Sequence, residues 1–560
     1  MLITNKTIAR TLRLLGQLME LHDENPFKVR TINNAAFKID KLPFALADKT
    51  LEEIDQIEGV GKSTASKVWE LIHNNFIKDL QDLLEQTPEG IVEMLQVKGI
   101  GPKKIETLWK DMGIENIGEL YYACNENRLI EAKGFGIKTQ EEIKKVIEFR
   151  MASSGRFLYS QVEKFAENLL KKLQQIFKTD LISLTGTYRR RYEIIDELEV
   201  LTGISLSDEL LGDIKLSGLI ITEQQTTSLI IENELGIKSE IRFCDAKNFG
   251  WELILQTGSD EHISQLKKLI GEKAIEGKTE AEIYEAAGLS FIEPELREGT
   301  NEFELAMKGQ LPQLITYPDL KGTLHNHSPW SDGVNTLEEM AVFCKEDLKL
   351  SYLGICDHSK SAFYAKGLDE NRVAAQQREI DELNIKLSPF HIFKGIESDI
   401  LYDGSLDYST DVLETFDFVV ASIHSTLKMS EEKATERLIK AVENPYTTIL
   451  GHPTGRLLLS RSGYPIDHKR VIDACAANQV VIEINANPLR LDLDWRWHQY
   501  AIEKGIVLSI NPDAHRKDGF YDMHYGVLVA RKGGVSTAHC LNAMSLDEIK
   551  LFFKNKNTTH

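Results

Sequence analysis

Leu324-His325-Asn326-His327-Ser328 is the stretch that decides the fold, because its pattern of apolar residues leading into ligand-type side chains recurs along the rest of the chain. The recurrences are Ser331-Asp332-Gly333, Cys356-Asp357-His358, Gly395-Ile396-Glu397, Ser422-Ile423-His424, Gly451-His452-Pro453 and Pro512-Asp513-Ala514-His515. Most follow runs that read as strands: Tyr352–Cys356, His391–Gly395, Phe418–Ser422, Thr448–Leu450, Val480–Asn485 and Val507–Asn511. Amphipathic helical spacing fills the intervals, so residues 319 to 560 read as an α/β barrel. Strands that each end in a polar residue at one edge let a barrel assemble a single site from distant parts of the chain. His325 and His327, two apart on an extended segment, point to the same side and can grip one ion together.

A chain of 560 residues that is 42% hydrophobic should fold as several domains. Its formal charge of −20 argues against a protein that coats nucleic acid by bulk electrostatics. Local contacts remain open to it, since backbone amides and a few lysines can hold a phosphate on an otherwise acidic surface. Cys124, Cys244, Cys344, Cys356, Cys475 and Cys540 are scattered without a C-x-x-C, so neither a disulfide framework nor a zinc ribbon is expected. There is no charged-then-apolar leader, and no apolar run approaches the roughly 20 residues of a membrane span. A cytoplasmic monomer with no membrane partner is expected.

Residues 1–80 read as a small helical domain, with Ile8, Leu12, Leu15 and Leu18 on one face and a break at Asn25-Pro26-Phe27. Within it, Gly59-Val60-Gly61-Lys62 runs into a helix through Ala65, Val68 and Leu71. Two glycines around one apolar residue make a tight turn whose amides, at a helix N-terminus, suit a phosphate. Residues 81–150 repeat the design at Lys98-Gly99-Ile100-Gly101-Pro102-Lys103-Lys104 and again at Lys133-Gly134-Phe135-Gly136. Three such turns predict phosphate-backbone binding through Gly59, Gly61, Lys62, Gly99, Gly101, Lys103, Lys104, Gly134 and Gly136.

These turns resemble helix-hairpin-helix elements, which grip DNA without reading its sequence. Together with Pro26-Phe27-Lys28-Val29-Arg30 they look like the amino-terminal and fingers domains of family-X DNA polymerases. The resemblance places Lys67 where lyase members of that family carry a Schiff-base lysine; its plain alternative is a solvated helix lysine.

Residues 151–245 change character. Leu181–Gly186 reads as a strand ending in a turn, followed by Thr187-Tyr188-Arg189-Arg190-Arg191. Further strands are expected at Ser217–Thr222, Thr227–Ile231 and Glu240–Cys244. Glu197 and Glu199 flank Leu198 and share one strand face, and Glu240 opens another strand. Three converging carboxylates beside a Gly-Thr turn and arginines describe a two-metal nucleotidyl-transfer site. This segment resembles the family's palm, whose pattern is Gly-Ser, Arg-Arg and a Gly-Asp-x-Asp strand with a later aspartate. The resemblance makes Gly186, Thr187, Arg189 and Arg190 nucleotide-binding candidates and Glu197, Glu199 and Glu240 ligands for magnesium or manganese, if the palm is active. Each carboxylate here sits one methylene further out, and Asp196 replaces a glycine. Placement errors of about an ångström can cost on the order of a hundredfold in rate, so a degenerate palm that binds DNA or nucleotide is expected.

Residues 246–300, with Thr257-Gly258-Ser259 and Pro294-Glu295-Leu296-Arg297-Glu298-Gly299, resemble the thumb of bacterial family-X enzymes, and 301–318 reads as a linker. The motif order from residue 319 onward resembles the PHP domain, a distorted seven-stranded barrel of phosphoesterases that those enzymes carry at their C-terminus. The expected fold class is therefore multidomain: all-α helix-hairpin-helix domains, an α+β nucleotidyltransferase-like palm and thumb, and an α/β PHP barrel.

The same resemblance implies three divalent ions. His325, His327, Glu397 and Asp513 would hold one, Glu397 bridging to a second held by His424 and His452, while Asp332, His358 and His515 hold a third. Mixed imidazoles and carboxylates suit manganese, zinc or iron better than magnesium. Such ions lower the pKa of a shared water toward neutrality and neutralise phosphate oxygens, which makes Glu397 and Asp513 catalytic candidates. Arg456 is a candidate phosphate clamp, its other reading being a surface ion pair. The expected function is a DNA-repair phosphodiesterase, a 3′-5′ exonuclease or 3′-end processing enzyme acting on primed, gapped or damaged duplex. The alternatives are an active gap-filling polymerase that also binds dNTP, and a histidinol-phosphate-like small-molecule phosphatase, which would have no use for the N-terminal hairpins.

Overall fold

The computed structural model describes residues 3–97, 99–130, 132, 134–152, 155–233, 236–271 and 276–558. Lys98 and Lys133 of the glycine turns lie outside the described residues. The chain divides into two compact units, Met1–Glu148 and Phe149–His560.

The first unit is helical. Helix Asn5–Leu21 starts at Thr4, whose side chain accepts from the Thr7 amide, and buries Ile8, Leu12, Leu15 and Leu18 along one face. Helix Pro26–Ile39 begins with proline in its first turn and Asn25 as its cap. The three glycine turns share one geometry. Their first glycines, Gly59, Gly99 and Gly134, take φ of +85°, +94° and +86°, a region that side chains resist. In each, the next residue's amide donates back across the turn, from Val60 to Ile57, Ile100 to Val97 and Phe135 to Ala132. Gly61 and Gly101 then cap helices Lys62–Asn74 and Pro102–Glu106, and Ile137–Ala152 follows Gly136.

Early in the second unit, helix Tyr159–Phe177 precedes a mixed five-stranded sheet. Its strands lie in the order Ile182–Leu184, Leu198–Thr202, Lys238–Phe243, Ser228–Glu232 and Ile220–Gln224; only the pairing of Leu198–Thr202 with Lys238–Phe243 is parallel. Helices Phe249–Thr257, Asp260–Ile270 and Glu280–Ala286 come next. The segment expected as a linker carries helix Glu302–Lys308, whose Phe303 and Ala306 are buried in the same core as Trp251, Ile254 and Tyr284. Its apolar residues lie three apart, enough for one turn to dock.

From residue 322 seven parallel strands follow one another in chain order: Gly322–Thr323, Tyr352–Ile355, His391–Asp399, Phe418–Ser422, Ile449–Leu450, Val481–Asn485 and Leu508–Asn511. The first and last meet through a parallel bridge between Asn326 and Ala514, with the His327 amide donating to the Ala514 carbonyl at 2.9 Å, so the barrel is nearly closed. Tyr352, Phe393, Phe418, Val420, Ile449 and Val481 fill one core with Ile549 and Phe553 of helix Leu546–Thr558. A Cβ on Gly395 would lie 2.4 Å from the Phe418 ring, so the missing side chain is what admits that ring. No helix among the described residues is long and apolar enough to cross a membrane.

Candidate metal centre

The nine side chains singled out in the sequence converge at the C-terminal edge of the barrel. His325 Nε2 lies 3.3 Å from Glu397 Oε1 and 3.7 Å from Asp513 Oδ1, and His327 Nε2 lies 3.0 Å from that same Asp513 oxygen. His424 Nε2 and His452 Nε2 stand 3.2 and 3.0 Å from Glu397 Oε1. Asp332 faces His358 Nε2 at 3.6 Å and His515 Nε2 at 3.4 Å. The donor atoms form three groups, each within 4.8 Å: His327, Asp332, His358 and His515; His325, His327 and Asp513; and His358, Glu397 and His424. Two residues serve two groups, which the resemblance did not imply. His327 belongs to the first and second, and His358 reaches Glu397 with Nδ1 at 3.0 Å as well as Asp332 with Nε2.

The chemistry of this set fits divalent cations. His325 Nε2, both His327 nitrogens, Asp332 Oδ2 and Glu397 Oε2 are buried without a hydrogen-bond partner. Such atoms are costly to leave unsatisfied, and each has the type and orientation of a ligand. Burial disfavours the Glu397 charge, yet the surrounding His424, His325 and His358 hold its carboxyl well below the usual range. Burial and the neighbouring His515 and His358 push His327 down to about 4, leaving its imidazole neutral and able to ligate. Asp513 and His452 sit at φ +53° and +22°, backbone that costs a non-glycine residue about 1–2 kcal/mol and that recurs at functional sites.

A second layer orients these ligands. His325 Nδ1 meets Glu483 Oε1 at 2.7 Å, and His424 Nδ1 meets Asp399 Oδ1 at 2.5 Å. Asp357 accepts from the Ser328 amide and hydroxyl, the Ser331 amide and Gln376, fixing the turn that carries His327 and Asp332. Sequence reading missed all three acids; for Glu483 the signal was a glutamate inside an otherwise apolar strand. It also missed Arg490, buried with Nε 4.0 Å from Asp513 Oδ2. Arg456 has all three guanidinium nitrogens engaged within the chain. Nε donates to the Arg490 carbonyl at 2.8 Å, Nη2 to the Leu491 carbonyl, and Nη1 to Asp494. It braces the segment that carries Arg490.

In the five-stranded sheet Glu199 and Glu240 are register partners, while Glu197 is exposed just before its strand. Arg242 pairs with Glu240 at 2.7 Å and reaches Glu199 at 3.9 Å. Burial, with the charges of Glu197 and Glu240, raises the Glu199 carboxyl pKa against the pull of Arg242. The Glu199 carboxylate lies over Gly186, where a Cβ would be 1.6 Å from its oxygen. Thr187 is half-buried in the short helix Gly186–Arg189. Arg189 forms a two-pronged pair with Glu280 at 2.7 and 2.6 Å, and Arg190 donates to Glu298 at 3.0 Å. In the helical unit Lys62 and Lys103 are exposed, Lys104 donates to the Gly99 carbonyl at 3.2 Å, and Lys67 is paired with Asp79.

Comparison with known proteins agrees with this architecture. A "Helix-hairpin-helix domain" model matches residues 3–75 and a "SAM-like Helix-hairpin-helix tandem" model matches residues 91–148. A probable phosphatase of Thermoanaerobacter sp. (strain X514) is 28% identical over 181 residues, covering 30% of this chain and 71% of the relative. A probable phosphatase of Acetivibrio thermocellus is 34% identical over 200 residues, covering 34% of this chain and 78% of the relative. Helix-hairpin-helix modules, a mixed α/β middle and a seven-stranded barrel with a histidine-carboxylate cluster define the class of family-X polymerase chains that carry a PHP domain. The chain is 34% identical, over 575 residues spanning 99% of it and 100% of the relative, to the DNA polymerase/3′-5′ exonuclease PolX of Bacillus subtilis (strain 168). It belongs to the PolX family, as its motifs led one to expect.

Proposed function

We propose that the chain is a metal-dependent phosphodiesterase of DNA repair that removes nucleotides from 3′ ends, with the chemistry in the barrel. The observation that carries this reading is the convergence of six imidazoles and three carboxylates on one barrel edge, with unpartnered donor atoms aimed at one another. The name of the Bacillus subtilis relative, which the alignment spans in full, supports the 3′-5′ polarity. Divalent cations held there, three of manganese, zinc or iron, would supply water activation and charge neutralisation. His325, His327, Asp332, His358, Glu397, His424, His452, Asp513 and His515 would hold them.

Residues 1–80 and 81–150 hold the DNA backbone through the three glycine turns and their lysines. Residues 151–245 and 246–300 act as a palm-like and thumb-like scaffold. The Arg242 guanidinium beside Glu199 and Glu240, and the engagement of Arg189 and Arg190, favour a palm that binds DNA over one that polymerises with dNTP. The protein acts in the cytoplasm as a monomer.

Incubating a 5′-labelled primer with manganese and either the parent or His325→Ala tests the proposal. A ladder shortening from the 3′ end with the parent, lost in the variant, is expected. An intact primer alongside hydrolysis of small phosphate monoesters would overturn it in favour of a small-molecule phosphatase.

A further inference from the structure

The loop that leaves His358 carries an aromatic side chain that the metal cluster does not use. Phe363 opens the single turn Phe363–Ala365 and is 87% exposed, whereas most large apolar residues of the barrel are buried. A lone exposed apolar side chain is ordinary on a protein surface. What sets this one apart is the bracing of its loop at the rim of the site.

The Leu368 amide returns to the His358 carbonyl at 2.9 Å, and Ser359 and Leu368 form a parallel bridge that closes the neck. A Cβ on Gly367 would lie 1.8 Å from the Ser359 carbonyl oxygen, so the neck closes only around glycine. Ser361 donates its amide to Asp407 at 2.6 Å and its hydroxyl to Asp399 at 2.8 Å; Asp399 is the partner of His424. The Tyr364 ring lies edge-on to His358 with centroids 6.0 Å apart. The loop tip is thereby tied to two metal-site histidines, and its ordering is completed on folding rather than on binding.

We propose that Phe363 is a stacking platform for an unpaired nucleobase, that of the terminal nucleotide on the strand being hydrolysed. The proposal rests on the barrel acting on DNA 3′ ends and adds the base to what the site recognises. The cluster addresses the charged phosphate, whereas a base offers an uncharged π-face that matches an exposed phenyl ring. Stacking of this kind is worth roughly tenfold in affinity per base and tolerates any sequence. A base inside a duplex has its faces covered by its neighbours and must be unstacked first. The platform therefore selects frayed, mismatched or single-stranded 3′ ends.

The test compares kcat/KM with manganese for two single-stranded oligonucleotides, one ending in an ordinary 3′ nucleotide and one in an abasic tetrahydrofuran residue. The parent, Phe363→Ala and Phe363→Trp are assayed in parallel. The parent is expected to prefer the base-bearing end, Phe363→Ala to lose about tenfold of that preference, and Phe363→Trp to keep it. An unchanged ratio in Phe363→Ala overturns the proposal and leaves the exonuclease reading standing. A parent that shortens neither substrate overturns both. Should Phe363→Ala turn a self-associating parent into a monomer with the ratio unaltered, the ring contacts a second copy and the proposal falls.

Discussion

Nδ1 of His325 lies 2.7 Å from Oε1 of Glu483, with both side chains fully buried, and this contact leaves Nε2 as the ring nitrogen directed at Glu397 and Asp513. Glu483 is itself held by the His452 amide at 2.8 Å and by Asn511 Nδ2 at 3.1 Å, so one acid sets the attitude of two ligand-bearing segments. Partners of this kind typically control metal affinity by about 10- to 100-fold. Glu483→Gln is expected to weaken manganese binding within that range in a chelator competition; unchanged affinity would remove Glu483 from the site's support.

Metal removal should be visible in stability without any assay of activity. Glu397 and Asp513 are buried and Asp332 is partly buried, each in a group of imidazole and carboxylate ligand atoms that cations binding the folded barrel would engage. A ligand at about 100 times its Kd stabilises by roughly 2.7 kcal/mol. Calorimetry should show the barrel's transition rising with added manganese and falling after dialysis against a chelator, an effect His327→Ala and Asp513→Ala diminish.

Glu280 gives a pH dependence with a definite sign. Burial raises the cost of its charge, but hydrogen bonds from Arg189 and the charge of Arg297 prevail and lower its pKa to about 2. A carboxyl depressed in the folded state contributes stability that is fully present above its unfolded value near 4.5 and is lost as pH falls through about 2. The shift corresponds to on the order of 3 kcal/mol. Denaturant titrations of the parent between pH 5 and about 2 should show this loss, and Glu280→Gln should start less stable at neutral pH and flatten the profile.

Duplex binding should report on the helix-hairpin-helix turns and not on the palm carboxylates. Lys103 is exposed beside the Gly101 cap, so Lys103→Glu is expected to weaken duplex binding and reduce the slope of log K against log salt by about 1. Glu199→Gln should leave both unchanged. Fluorescence anisotropy at several salt concentrations distinguishes the two outcomes.

The barrel was readable in the sequence because parallel strands buried on both faces appear as continuous apolar runs. Tyr352–Cys356 differs from the observed Tyr352–Ile355 by one residue, and Phe418–Ser422 matches its strand. His391–Gly395 falls short of His391–Asp399 because Glu397 and Asp399 interrupt the apolar run while remaining inside the barrel. The nine metal-ligand candidates were legible for the same reason: most end or follow such a run. Partnerships across the chain were not. Arg189 meets Glu280 and Arg190 meets Glu298, 91 and 108 residues away, and no local pattern announces which carboxylate an arginine will find. Arg456 illustrates the same limit, since its partners are mostly carbonyls, which every residue possesses.

Glu298 takes hydrogen bonds from Arg190 and from the hydroxyl of Tyr192, and it also holds the ammonium of Lys532, which is wedged between the Tyr192 and Trp495 rings. Cutting the chain at residue 319 would take both Glu298 and the Tyr192 ring away from that lysine, and the barrel half would turn to water a cation and a tryptophan face that the intact chain covers. In this chain the mixed α/β region therefore serves the hydrolytic module as the cover of a charged seam, a task separate from any synthesis.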